Sequence, residues 1–236
     1  MTEQDDKDTA AAPKQEKTDL LRQMASVVGH EIRNPLAIIS NSVYFIRTKL
    51  GAGGAELDPK LAKHLGIIEG EIKHGNDVIE EILSFTRTRE LRRTPASVNS
   101  VIKDLAAYYK FPAAVTVKTV PDPSDPRADI DIEAIAHAAR FILDNAVQAM
   151  PEGGTVTIEA SHDGQWVLLS VTDTGPGLPG GDGEKVFEPF FTTKPRGIGL
   201  GLTIARKFAE KHGGLAKAEN APGGGAKVTL YLPAVK

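Results

Sequence analysis

Apolar residues recur from Leu20 to Leu50 with a heptad-like spacing: Leu21, Ala25, Val28, Ile32, Leu36, Ile39, Val43, Ile46 and Leu50. Such a narrow apolar seam predicts a long amphipathic helix. Two consecutive four-residue steps, Val28 to Ile32 to Leu36, break the alternation of fours and threes, and Pro35 sits inside that stutter. A proline there lacks a backbone donor, so a bend is expected close to His30. GAGGAELD (51–58) ends the helix. A second seam follows at Leu61, Leu65, Ile68, Ile72, Gly75, Ile79 and Ile82. Two antiparallel helices with seams this narrow cannot close a core alone. The expected solution is dimerisation of the hairpin into a four-helix bundle, the alternative being both helices packed onto the C-terminal part of the chain.

The pattern changes after Thr94-Pro95, which is expected to end the hairpin. Helices are predicted over Val98–Tyr109, Ile132–Met150 and Leu202–His212, the last stopped by Gly213-Gly214. Strands are predicted over Val115–Val120, TVTIEA (155–160), QWVLLSVTD (165–173) and AKVTLYLP (226–233). Mixed strands and helices without strict alternation give a two-layer α/β sandwich. The fold class is therefore α plus α/β: a helical hairpin in a dimeric bundle, then the sandwich. The expected boundaries are a disordered tail over 1–18, a helical domain over 19–93 and an α/β domain over 96–236. The tail, MTEQDDKDTAAAPKQEKT, is too polar to offset its chain entropy; if Met1 is the natural start, any signal input is expected to come from a separate partner protein.

Composition narrows the classes. The 236 residues are 41% hydrophobic and 25% charged, with net charge −3, which speaks against nucleic-acid binding by bulk electrostatics. Cysteine is absent, excluding disulfides and thiolate chemistry. No membrane span or signal peptide is visible, and a cytoplasmic location is expected.

Three features carry candidate chemistry. His30 lies about 200° around the helix from Ile32, opposite the seam, on a face shared with Ser26, Arg33, Asn34, Ala37 and Asn41. A carboxylate beside an imidazole, here Glu31, can fix the tautomer and leave the other nitrogen nucleophilic, although a lone surface histidine is more often inert. Asn145, inside the apolar stretch LDNAVQAM, reads either as a satisfied core amide or as an oxygen donor to Mg²⁺. DTGPGLP (173–179) places Asp173 at a strand end, and GIGLGL (197–202) opens onto a helix whose N–H groups suit an anion. PGGGAK (222–227) reads as a plain turn, and no Walker A loop is present.

Taken in order, HEIRNP, LDNA, DTGPG, VFEPFFTTK and GIGLGL resemble the two-component sensor histidine kinases from Leu20 to the C-terminus. The resemblance implies a dimerisation and histidine phosphotransfer domain followed by an ATP-binding catalytic domain of the gyrase, Hsp90 and MutL type. It implies autophosphorylation of His30 from ATP and transfer to an aspartate of a response-regulator receiver domain. Glu31 would be the base, and Asn34 would orient water for the reverse, phosphatase, activity. Asn145 would bind Mg²⁺, Asp173 the adenine amine, and Gly175 and Gly177 would shape the nucleotide pocket. Phe187 and Phe190 would belong to a lid, and Gly197, Gly199 and Gly201 would border the triphosphate.

There are departures. Phe141 stands where the family often has a second asparagine, and Gln148 where a basic residue is common. Arg140, Lys194 or Arg196 would then supply the phosphate charge. Arg33 replaces a common leucine, and the segment from Leu178 to Arg196 is short for a lid. These departures keep open a non-catalytic phosphotransfer or scaffold protein with a decayed nucleotide site. A serine kinase or ATPase of the same superfamily is opposed by the His-Glu-x-x-Asn-Pro helix.

Overall fold

The structure, a computed structural model, describes residues 32–50, 58–86, 90–194 and 197–235. The chain divides into two compact units, Met1–Thr88 and Arg89–Lys236. The expected tail over 1–18, together with His30 and Glu31, lies outside the described residues.

In the first unit, residues 32–50 form α1, continuous through Pro35, and Pro59–Thr86 form α2. Asp58 starts α2 by accepting from the N–H groups of Lys60 and Leu61 at 2.7 and 3.2 Å, a cap that relieves otherwise orphaned donors. The helices run antiparallel. Arg33 pairs with Glu80 and Arg47 with Glu69 across the hairpin. A Cβ on Gly75 would come within 3.1 Å of Leu36, so the glycine in the second seam marks a close approach of α1. Val43, Leu65, Ile72 and Ile79 are buried. Among the described seam residues, Leu36, Gly75 and Ile82 are half-buried, and Ile32, Ile39, Ile46, Leu50, Leu61 and Ile68 keep 38 to 45% of their surface exposed.

The second unit opens with β1 (Thr94–Ser97) and α3 (Val98–Tyr108), then β2 (Val115–Val120), β3 (Arg127–Ile130) and α4 (Ile132–Gln148). β4 (Gly154–His162), β5 (Trp166–Asp173), α5 (Gly201–Lys211), β6 (Leu215–Asn220) and β7 (Ala226–Pro233) complete it. Strands β2-β4-β5-β7-β6 form one sheet, parallel only between β2 and β4, and β1 pairs with β3 in a separate ribbon. The period-two alternation of β4, β5 and β7 turns Val156, Ile158, Val167, Leu169, Val228 and Leu230 to one face. Helices α3, α4 and α5 cover it, with α4 contributing Ile135, Ala138, Ile142, Leu143 and Ala146. Ser97 and Asp131 cap α3 and α4 through Ser100 N–H and Ala134 N–H.

Three strands were not expected from the pattern. Thr94-Pro95 was expected to end the hairpin, but Thr94–Ser97 is β1, paired to β3 in the second unit. A two-stranded ribbon leaves one edge of β1 unpaired, which accommodates the proline. Among the described residues no helix is long and apolar enough to cross a membrane.

A buried histidine ties the helical ends together. His212, 1% exposed at the end of α5, accepts from Asp131 N–H at Nε2 (3.0 Å), and Nδ1 donates to the Phe208 carbonyl (2.7 Å). The bond at Nε2 needs the neutral ring. Burial, aided by Arg93, pushes its pKa below the ordinary value, outweighing the opposite pulls of the Phe208 carbonyl and of Asp131 and Asp129. A histidine with a lowered folded pKa contributes stability that is complete above its unfolded value, about 6.5, and is lost as pH falls below it. The urea midpoint should therefore drop between pH 7.5 and 5.5, and drop less in His212→Gln, which titrates nothing there. Equal pH slopes in the two proteins would exclude His212 as the source.

Candidate functional site

The candidate nucleotide site is built where β5, the last turn of α4 and the start of α5 converge. Asp173 ends β5 and is 5% exposed. Its Oδ1 accepts from Gly175 N–H at 2.8 Å and from Ala226 N–H at 3.2 Å. Among the described residues both bonds fall on Oδ1, so backbone donors orient the carboxylate and Oδ2 remains for a ligand donor.

The expected plain turn at 222–227 is therefore part of the site. Gly225 has φ +86°, and a Cβ there would lie 1.9 Å from the Asp173 carbonyl, so only glycine lets β7 start this close. The signal was present as a triple glycine, but a glycine cluster before a strand reads first as a plain turn. Gly175 lies against Ala149, the C-cap of α4, and Thr174 accepts from Thr155 N–H at 3.0 Å. Gly177 (φ +85°) lies against Asn220, whose side-chain oxygen accepts from Leu178 N–H at 2.7 Å. The loop after β5 is thus fastened to both of its neighbours.

Asn145 occupies the last turn of α4, partly buried rather than sealed in the core. Its Oδ1 accepts from Lys194 Nζ at 2.7 Å, and Gln148 Oε1 accepts from the same ammonium at 2.8 Å. Of the two candidate charges among the described residues, Lys194 is the one that reaches this point. Arg140 is exposed elsewhere on α4, and Arg196 lies outside the described residues. Two amide oxygens gripping an ammonium form a donor set that suits a cation, and hard oxygen donors are what Mg²⁺ takes alongside phosphate.

The two phenylalanines expected in the lid part company. Phe187 is 2% exposed and belongs to the core, its carbonyl accepting from Thr203 Oγ and its ring lying 5.0 Å beneath the Arg206 guanidinium. Phe190 is 42% exposed with φ +67°, and its N–H donates to the Gly199 carbonyl at 2.9 Å. That bond closes a loop in which Gly199, at φ +75°, packs on Phe191 and Gly197 packs on Thr192. Gly201 opens α5, and a Cβ there would meet the Phe141 ring at 3.3 Å. The residue that replaces the family's second asparagine is therefore the platform for the start of α5. Asn34 lies exposed on α1.

Two family models match this chain: the His Kinase A (phospho-acceptor) domain over residues 20–91, and the histidine kinase-, DNA gyrase B- and HSP90-like ATPase over residues 130–236. Sensor histidine kinase ZraS of Escherichia coli O157:H7 is 30% identical over 225 residues, covering 93% of this chain and 48% of that protein. The chain belongs to the sensor histidine kinases. It spans about half the length of the curated sensor kinases it matches. Among solved structures, the catalytic domain of histidine kinase ThkA is 30% identical with TM-score 0.54, covering 60% of this chain and 95% of that one. Histidine kinase ThkA in complex with response regulator protein TrrA is 29% identical with TM-score 0.67, covering 97% of this chain and 66% of that one. The order of units is therefore that of a histidine kinase: helical hairpin, then mixed α/β sheet.

Proposed function

We propose that this histidine kinase transfers the γ-phosphoryl group of ATP to His30 and then to an aspartate of a response-regulator receiver domain. The observation that carries the reading is Asp173, a buried carboxylate aimed by two backbone donors, in a chain whose residues 20–91 match the phospho-acceptor model. Asp173 receives the adenine amine. Asn145 holds Mg²⁺, which when bound neutralises the phosphates, and the start of α5 with Gly197, Gly199 and Gly201 lies along them. Gly175 and Gly177 let the backbone follow the base.

In the transfer step the bond from Pγ to the β,γ-bridging oxygen breaks, a bond from Pγ to an imidazole nitrogen forms, and ADP departs. Glu31 takes the ring proton that the new bond displaces, and Asn34 orients water when the partner's phosphoaspartate is hydrolysed. Positioning and electrostatics supply most of the rate. ATP as donor and a receiver domain as acceptor place this work in the cytoplasm. The ThkA–TrrA complex supports a receiver partner. No observation favours the scaffold reading. The test is incubation with γ-labelled ATP: the label should be acid-labile and base-stable, as phosphohistidine is. Acid-stable label would count against the reading.

The helical unit acts as a homodimer on this reading. The exposed seam residues Ile32, Ile39, Ile46, Leu50, Leu61 and Ile68 form a stripe that a second hairpin would cover, giving four helices around one core. Sedimentation of the full chain at micromolar concentration should give a dimer, and Ile39→Glu with Ile46→Glu should give a monomer that still binds ATP. A wild-type monomer would overturn the bundle.

A further inference from the structure

The last turn of α4 carries no basic residue, although a helix C-terminus attracts cations. Its cation comes instead from the loop between β5 and α5. The Lys194 ammonium is held by Asn145 and Gln148, which stand three residues apart on one face of that turn. The lysine backbone is itself fixed: Lys194 N–H donates to Thr192 Oγ at 3.1 Å, and Gly197 N–H donates to the Lys194 carbonyl at 3.2 Å. We infer that Gln148 is a positioning residue for Lys194, and that the pair together supplies the phosphate-binding charge that a basic side chain at position 148 would otherwise provide.

This rests on the ATP reading above. Gln148 is neutral and offers an acceptor, so it attracts the ammonium that a lysine or arginine at 148 would repel. Asn145 Oδ1 cannot serve both the ammonium and a divalent cation, because the two positive charges would lie within contact distance of each other. On nucleotide loading Lys194 therefore gives up Asn145, keeps Gln148 and turns to the terminal phosphates. The nucleotide-free protein thus keeps its phosphate cation at the mouth of the site, held by the residue that the metal will later claim. Only a triphosphate extends far enough to draw full advantage from it.

The test is calorimetric binding of ADP and of a non-hydrolysable ATP analogue, with Mg²⁺, to the full chain. Lys194→Ala should weaken the ATP analogue about 10–100-fold, the scale of one charge-assisted contact, and ADP clearly less. Gln148→Ala should weaken the analogue about 3–10-fold, yet add nothing in the Lys194→Ala background, since the two residues act as one unit. Gln148→Lys in that background should restore most of the lost affinity by placing the charge directly on α4. Gln148 is exposed and Lys194 only half-buried, so melting temperatures should hardly move. Additive losses, equal losses for ADP and the analogue, or failure of the Gln148→Lys rescue would overturn the pair while leaving the ATP site standing. A wild-type protein that binds neither nucleotide would instead remove the ATP reading, and this role with it.

Discussion

His30→Ala is expected to abolish phosphoryl incorporation from ATP while leaving nucleotide affinity within about twofold of wild type. The expectation follows from the separation of the two chemistries along the chain. Residues 20–91 match the phospho-acceptor model, whereas Asn145, Asp173 and the glycine-rich start of α5 all belong to the unit that begins at Arg89. If His30 is the acceptor, as proposed, removing its imidazole leaves the phosphoryl no destination, so the loss is complete rather than graded. Glu31→Gln should slow incorporation about 10²–10⁴-fold, the usual contribution of a general base, because a neutral amide cannot take the ring proton. Undiminished labelling of His30→Ala would place the acceptor elsewhere. An equal loss of nucleotide binding would mean that the variant had damaged the catalytic unit.

The long and strongly periodic elements were legible without coordinates. The β2 and β7 bounds read from alternation match, and the ends of α3, α4 and α5 differ by one or two residues, the ordinary uncertainty of helix ends. Less legible were the strands whose side chains carry little hydrophobic signal. β1 is Thr-Pro-Ala-Ser, β3 alternates only Ala128 and Ile130 with charges, and β6 is an edge strand of small and charged residues, LAKAEN. Each is specified by the partner that it pairs with, and a linear pattern contains no partner.

The candidate site divides the same way. Asp173, Asn145 and the glycine runs are ambiguous one by one and become candidates through the order of motifs that resembles the sensor histidine kinases. The contribution of Gly225 and Ala226 could not be picked out, because it arises from β7 returning beside β5 more than 50 residues later in the chain. Phe187 is assigned to a lid by the resemblance alone, which says nothing of which of the two rings packs inward. Its backbone, fastened to Thr203, places that ring in the core instead.

Asp173→Asn should reduce ATP affinity about 10²–10³-fold while scarcely changing the melting temperature. The two halves of that expectation come from the two oxygens of one carboxylate. Oδ1 accepts from Gly175 N–H and Ala226 N–H, and an asparagine oxygen can take over both bonds without leaving a buried donor unpaired. Those same donors dictate the rotamer, because turning the amide over would set its NH₂ against two N–H groups. The NH₂ must therefore occupy the place of Oδ2, where the adenine amine is to be received. A charged acceptor becomes a donor facing a donor, losing a charge-assisted bond of about 1.5–3 kcal/mol and adding the cost of an unsatisfied buried group. Asp173→Ala would remove the acceptor for Gly175 and Ala226 as well, so it should lose stability along with affinity and would not separate the two effects. Calorimetric titration of Asp173→Asn with an ATP analogue, beside a melting curve, decides the matter. An affinity within threefold of wild type would mean that Asp173 organises the turn at Gly225 and does not touch the base.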